Sequence, residues 1–177
     1  MVKTLFRASV NRAVIRDLHG KIVAAARQPA LYADYGVPDT LEGRFELVTL
    51  HAMIALRALR SAPEPGPQMA QDISNAVFAD FDAALREMGV GDASIPKRIS
   101  KLAGDFVGRC AAYEAALAVP GNSALTAALE RNIFAPGGGD AARLARYVRA
   151  AAATFAALSL DQMSGNSLAF AAAQDIA

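Results

Sequence analysis

The stretch Leu85-Arg86-Glu87-Met88-Gly89-Val90-Gly91-Asp92 decides how this chain folds. It joins two amphipathic runs and has the composition of a helix stop. Met88 ends one periodic run, Gly89 follows it, and Pro96 opens the next run at a first-turn position. The run before it places Ile73, Val77, Phe81, Leu85 and Met88 on one face. The run after it does the same with Ile99, Leu102, Phe106, Cys110, Tyr113 and Leu117. These spacings predict helices over about Gln68–Met88 and Pro96–Val119. The turn between them then sets how the two pack.

Upstream, Asp39-Thr40-Leu41-Glu42 reads as a helix start, with Asp39 accepting from first-turn N–H groups and Glu42 reaching back. The helix it opens runs to about Arg60. Leu41, Phe45, Val48, Ala52, Ala55 and Leu59 form its stripe, and Leu47, Leu50 and Ile54 widen it. A stripe this broad predicts a helix near the middle of the fold. Ser61 to Pro67 contains three prolines and a glycine and is expected to be a loop. A first helix is expected over about Asn11–Arg27, with a short one from Pro29 to Tyr35 stopped by Gly36 and Pro38. Downstream, Pro120-Gly121 ends the helix after the turn. A shorter helix follows from Asn122 or Ser123 to Ile133. Pro136-Gly137-Gly138-Gly139 reads as a flexible link. Asp140 caps a last long helix with Leu144, Tyr147, Ala151, Phe155 and Leu158 inward and Arg143, Arg146 and Arg149 outward. The tail from about Ser164 is weakly periodic, and its ends are expected to fray. No segment alternates as a strand does. The expected fold is all-α: one helical bundle of six to seven helices over residues 1–177.

Composition narrows the function classes. The 177 residues carry a formal charge of +1, so no global field draws the chain to nucleic acid or anionic lipid. A single cysteine, Cys110, fits a reducing compartment and forms no internal disulfide. Met1–Val10 lacks an apolar core of signal-peptide length. The most apolar run, Ala150–Leu160, is far short of the ~20 residues a membrane-spanning helix needs. A cytoplasmic location is expected, with any membrane contact peripheral.

Catalytic material is sparse. His19 and His51 lie in different helices with no metal-ligand spacing, and each reads as a structural histidine. Cys110 falls on a buried face and reads as an inert small hydrophobe. Gly137-Gly138-Gly139 precedes a helix, but no strand leads in and no Gly-Lys-Ser/Thr follows, so it reads as a hinge rather than a phosphate site. Asp80 and Asp82 lie two apart on a helix and read as a solvated face. No cofactor, metal or enzymatic constellation is expected. Lys97, Arg98 and Lys101 form a basic patch, with Arg109 two turns or more beyond. That patch suits RNA phosphate, an acidic protein surface or lipid headgroups. It lacks the interleaved aromatics of a base-reading surface, so no specific nucleic acid is expected.

The segments Arg27-Gln28-Pro29-Ala30-Leu31-Tyr32-Ala33-Asp34-Tyr35-Gly36-Val37-Pro38-Asp39-Thr40 and Gly43-Arg44-Phe45-Glu46-Leu47, then Leu50-His51, resemble the ubiquinol–cytochrome c chaperone family. The turn supports this, with Phe81-Asp82 before it and Ile95-Pro96-Lys97 after it. So do Lys101, Phe106, Gly108-Arg109, Tyr113, Ala116-Leu117, Ala128-Leu129 and Arg131-Asn132. The likeness is densest over residues 25–132 and looser over the helix at 140–160. It implies an assembly factor for the cytochrome bc1 complex, not an enzyme. Its client would be newly made cytochrome b, held near the ribosome before haems and partner subunits are in place, with a small partner protein assisting. No targeting extension of the mitochondrial kind is expected, as in a bacterial member.

On this reading Lys97, Arg98, Lys101 and Arg109 form a basic rim, and Met88 and Val90 supply apolar contact at the turn. The competing reading, which the residues themselves favour, makes Met88 and Val90 core residues packing the turn. Two other functions compete with the chaperone reading: a ribosome- or RNA-binding module using the basic helix, and a small helical enzyme centred on His51.

Overall fold

The computed structural model describes residues 2–134, 138–165 and 168–176, with side chains described from residue 12 onward. Every regular element among them is helical. The helices are α1 (Val2–Ala26), α2 (Pro29–Ala33), α3 (Leu41–Ser61), α4 (Gly66–Glu87), α5 (Ile95–Ala118), α6 (Ser123–Ile133), α7 (Ala141–Ala156) and α8 (Leu160–Ser164). Single 3-10 turns lie at Asp92–Ser94 and Ala173–Asp175. The bundle is thus six helices of more than two turns, with α2 and α8 as one-turn additions.

α3 is the central helix and packs against α1, α4, α5, α6 and α7. From Leu47 to Leu56 every residue except Val48 is buried. The predicted stripe differs from this at its N-terminal end. Leu41 is 49% exposed, and Phe45 and Val48 are only half-buried. Those three line an open groove. α3 is capped by Thr40, whose hydroxyl accepts from Gly43 N at 3.2 Å. Asp39 is not the cap, because its carboxylate is taken by Arg44 Nε at 2.7 Å. Gly43 is set by close approach: a Cβ there would stand 2.0 Å from the Pro38 carbonyl oxygen.

Three boundaries differ from expectation. α1 begins at Val2 rather than near Asn11, and residues 2–10 contain no glycine or proline to stop it. α4 begins at Gly66 with Pro67 inside its first turn, where a missing N–H costs nothing. The tail does not fray over 168–176. Gln28 accepts from Ala173 N at 2.7 Å, Tyr35 OH donates to Ala173 O at 2.7 Å, and Arg143 Nε donates to Ile176 O at 2.7 Å. α8 is closed by a reciprocal capping box of Ser159 and Gln162. Pro136 and Gly137, half of the expected flexible link, lie outside the described residues.

Candidate functional site

The turn between α4 and α5 is a Schellman motif. Val90 N donates to Leu85 O at 3.0 Å and Gly89 N to Arg86 O at 2.9 Å, with Gly89 at φ +77°. Arg86 braces it from outside, pairing with Asp82 at 2.7 Å and with Asp92 beyond the turn at 2.5 Å. Gly91 needs neither left-handed backbone nor space. Its φ is −62°, and a Cβ there meets nothing within 4 Å. The structure therefore separates the two glycines: Gly89 makes the turn and Gly91 does not.

This turn closes one end of a groove of about 840 Å³ formed by α1, α3, α4 and α5. Phe45 of α3 and Phe81 of α4 meet in it, with ring centroids 5.2 Å apart. The aromatic contacts continue from Phe81 to Phe78 and from Phe78 to Phe106, tying α3, α4 and α5 together. Of the large hydrophobic side chains exposed among the described residues (Leu41, Met88, Val107 and Val119), Leu41 and Met88 line the groove.

The predicted site residues divide. Met88, Arg98, Lys101 and Arg109 line the groove; Val90 and Lys97 do not. Met88 is not a core residue, since it is 56% exposed. The expected basic rim is electrically balanced. Arg27, Arg44, Arg98, Lys101 and Arg109 are matched by Glu42, Glu46, Asp80, Glu87 and Asp105. Lys101 is tied to Asp105 at 2.7 Å, one turn along α5. Asp80 is 60% exposed, as a solvated carboxylate would be, with His19 Nε2 3.4 Å away.

Glu46 is the groove residue that sequence reasoning missed. It is 6% exposed. Arg109 Nε donates to its Oε1 at 2.9 Å, and Tyr113 OH donates to its Oε2 at 3.3 Å. Burial pushes the Glu46 pKa up, against the opposing pull of Arg109 and Tyr113. One sequence signal existed. Arg109 sits three residues after Phe106 and four before Tyr113, so it borders the buried stripe of α5, where a cation wants a partner.

On the far side of α3, His51 is wholly buried and fully satisfied. The Leu47 carbonyl can only accept, so Nδ1 donates to it at 2.7 Å, and Nε2 accepts from Tyr147 OH at 2.8 Å. Tyr147 in turn accepts from Gln28 Nε2 at 3.4 Å. Burial lowers the His51 pKa to about 4, so the ring is neutral near pH 7. Burial pushes the Cys110 thiol up to about 12, which leaves it protonated and unreactive. Arg143 and Arg149 do not simply point outward. Arg143 stacks over the Tyr35 ring at 4.4 Å. Arg149 donates to Leu117 O and Val119 O, closing the C-terminal end of α5. Among the described residues no group of three His, Cys, Asp or Glu side chains is placed to hold a metal ion, and no helix is long and apolar enough to cross a membrane.

Fold and groove together define an all-helical bundle with one open, largely apolar cleft at the α4–α5 turn. The chain belongs to the ubiquinol–cytochrome c chaperone family, whose model matches residues 33–170. That match takes in α7, beyond the span where the likeness looked densest. Among solved structures it is similar to the crystal structure of the Cbp3 homolog from Brucella abortus. The two share 36% identity over 100% of both chains, with a TM-score of 0.87. No curated protein matches it significantly.

Proposed function

We propose that this chain is an assembly factor for the cytochrome bc1 complex, and that it holds unassembled cytochrome b by seating an apolar segment of it in the α1/α3/α4/α5 groove. Family membership supports the assembly role. The observation that carries the groove reading is the exposure of Leu41 and Met88 at its mouth, beside half-buried Phe45, Val48 and Phe81. Leaving such side chains in water gives up roughly 25 cal/mol for each Å² of apolar surface, and docking an apolar segment recovers that. Methionine adapts to varied surfaces, which suits a client not yet in its final form. Arg98 and Lys101 sit at the rim and orient the client rather than attract it from afar, because the rim carries as many acids as bases. The same balance argues against an RNA-tracking surface, which needs an excess of cations along the phosphate path. The protein works at the cytoplasmic face of the membrane as a peripheral participant.

Met88→Asp tests this. It places a charge in the groove mouth at a side chain already more than half exposed. The expected result is loss of cytochrome b from pull-downs and loss of assembled bc1 complex, with the thermal midpoint within about 2 °C of wild type. Undiminished capture of cytochrome b would remove the groove from the mechanism.

A further inference from the structure

Arg109 is held in a way that neutralising Glu46 does not require. A charge-neutralising pair of these two groups most often uses two parallel bonds from the fork of the guanidinium. Here only Nε donates to Glu46, at 2.9 Å. The second carboxylate oxygen is taken by Tyr113 OH at 3.3 Å. Among the described residues the two terminal nitrogens of Arg109 have no hydrogen-bond partner, so the four N–H donors they carry are unspent. The nearest acid along α5 is Asp105, and its carboxylate is engaged by Lys101 at 2.7 Å. The Arg109 side chain is 32% exposed and lines the groove together with Leu102 of the same helix and Ile133 of α6. Glu46 is therefore a buried anchor. It fixes the Arg109 plane by one edge and leaves the other edge open in a partly apolar setting.

We propose that the terminal edge of Arg109 is a receptor for a side-chain carboxylate of the docked segment. The segment taken up is then an apolar stretch interrupted by an Asp or Glu, not a wholly apolar one. This rests on the reading that the groove seats cytochrome b. The chemistry is specific to arginine: its planar fork matches two carboxylate oxygens, and an ammonium at the same place does not. Seating the segment excludes water around the pair, which strengthens it.

The test uses the full chain and overlapping fluorescent peptides that together cover cytochrome b, read by anisotropy. The tightest-binding peptide should carry an Asp or Glu within an apolar stretch. Replacing that acid with its amide should weaken binding to the wild-type chain about tenfold. Arg109→Gln alone strands a buried carboxylate. The Glu46→Gln/Arg109→Gln double variant removes both charges and is the form to compare. It should bind the acidic peptide and its amide equally. Arg109→Lys, which keeps the charge and loses the fork, should show most of the tenfold loss. If peptides bind but the tightest has no acid, or its acid can be neutralised without loss, the receptor is overturned and the groove stands. If no peptide binds the wild-type chain, the groove reading is overturned and the receptor with it.

Discussion

α3 serves two regions of the molecule and finishes only one of them. From His51 a chain of hydrogen bonds runs unbroken: Leu47 carbonyl, imidazole, Tyr147 hydroxyl, Gln28 amide and then the backbone of the tail at Ala171 and Ala173. A turn and a half earlier on the same helix, Glu46 starts a network that runs to Arg109 and stops at an open groove. Both networks contain a buried titratable side chain. In the first it locks the chain's own tail against α2 and α7; in the second it positions a cation and leaves donors over. A closed polar network makes a single native state, and an unfinished one beside exposed apolar residues is what a binding face requires.

The widest gap between the regions is in packing. Leu50→Ala, in the closed region, should cost about 3 kcal/mol, because it empties a fully buried site on the central helix. Leu41→Ala, at the groove mouth, should cost less than about 0.5 kcal/mol, because half of that side chain already meets water. Urea midpoints at unchanged m-value decide it. Equal costs would mean that the groove end of α3 is packed as tightly as its middle, and the comparison would collapse.

The second contrast is in pH response. The folded state keeps His51 unprotonated until about pH 4, whereas the unfolded chain binds that proton near 6.5. The unfolded state thus takes up the extra proton across this window. Stability is whole above pH 6.5 and falls as pH drops toward 4, by on the order of 3 kcal/mol in total. Glu46 works in the opposite sense. Its raised pKa means that the folded state takes a proton sooner than the unfolded one, so acidification relieves a burial cost on the groove side. His51→Gln should flatten the first effect and Glu46→Gln the second, read as the difference in urea stability between pH 7 and pH 4.5 against wild type. A His51→Gln variant with the full wild-type slope would place the titrating group elsewhere.

Much of this was legible from periodicity, and the rest depends on partners far away in the chain. α3 to α7 follow from apolar spacing and from stops at Gly89, Pro96 and Pro120-Gly121, because those signals are local. The inward faces of α4 and α5 follow for the same reason. Glu46 did not read as buried, since Phe45-Glu46-Leu47 is ordinary for an amphipathic helix. Its burial needs Arg109, 63 residues on. The tail looked loose because its stability comes from Gln28, Tyr35 and Arg143, side chains up to 145 positions away, and not from its own pattern. Of the expected basic rim, Arg98, Lys101 and Arg109 are at the groove, but the acids that balance them come from three different helices, which no linear pattern reveals.

The smallest expected effect lies where the two regions join, in the α4–α5 turn. Gly89→Ala forces a Cβ into backbone at φ +77° and should destabilise by about 1 kcal/mol, even though the surrounding space is open. Gly91→Ala places a Cβ in open space at φ −62° and should be neutral, or stabilise by a few tenths of a kcal/mol by restricting the unfolded chain. The two substitutions are chemically identical and two residues apart, so any difference between them comes from backbone conformation. Their effects on client capture locate the edge of the proposed binding face. If Gly91→Ala leaves stability alone yet weakens cytochrome b binding, glycine is kept at that position because the client approaches its backbone closely. The binding face would then extend past Met88 around the outside of the turn. If it changes neither, the face ends at Met88, and the turn acts only through the angle at which it sets α4 against α5.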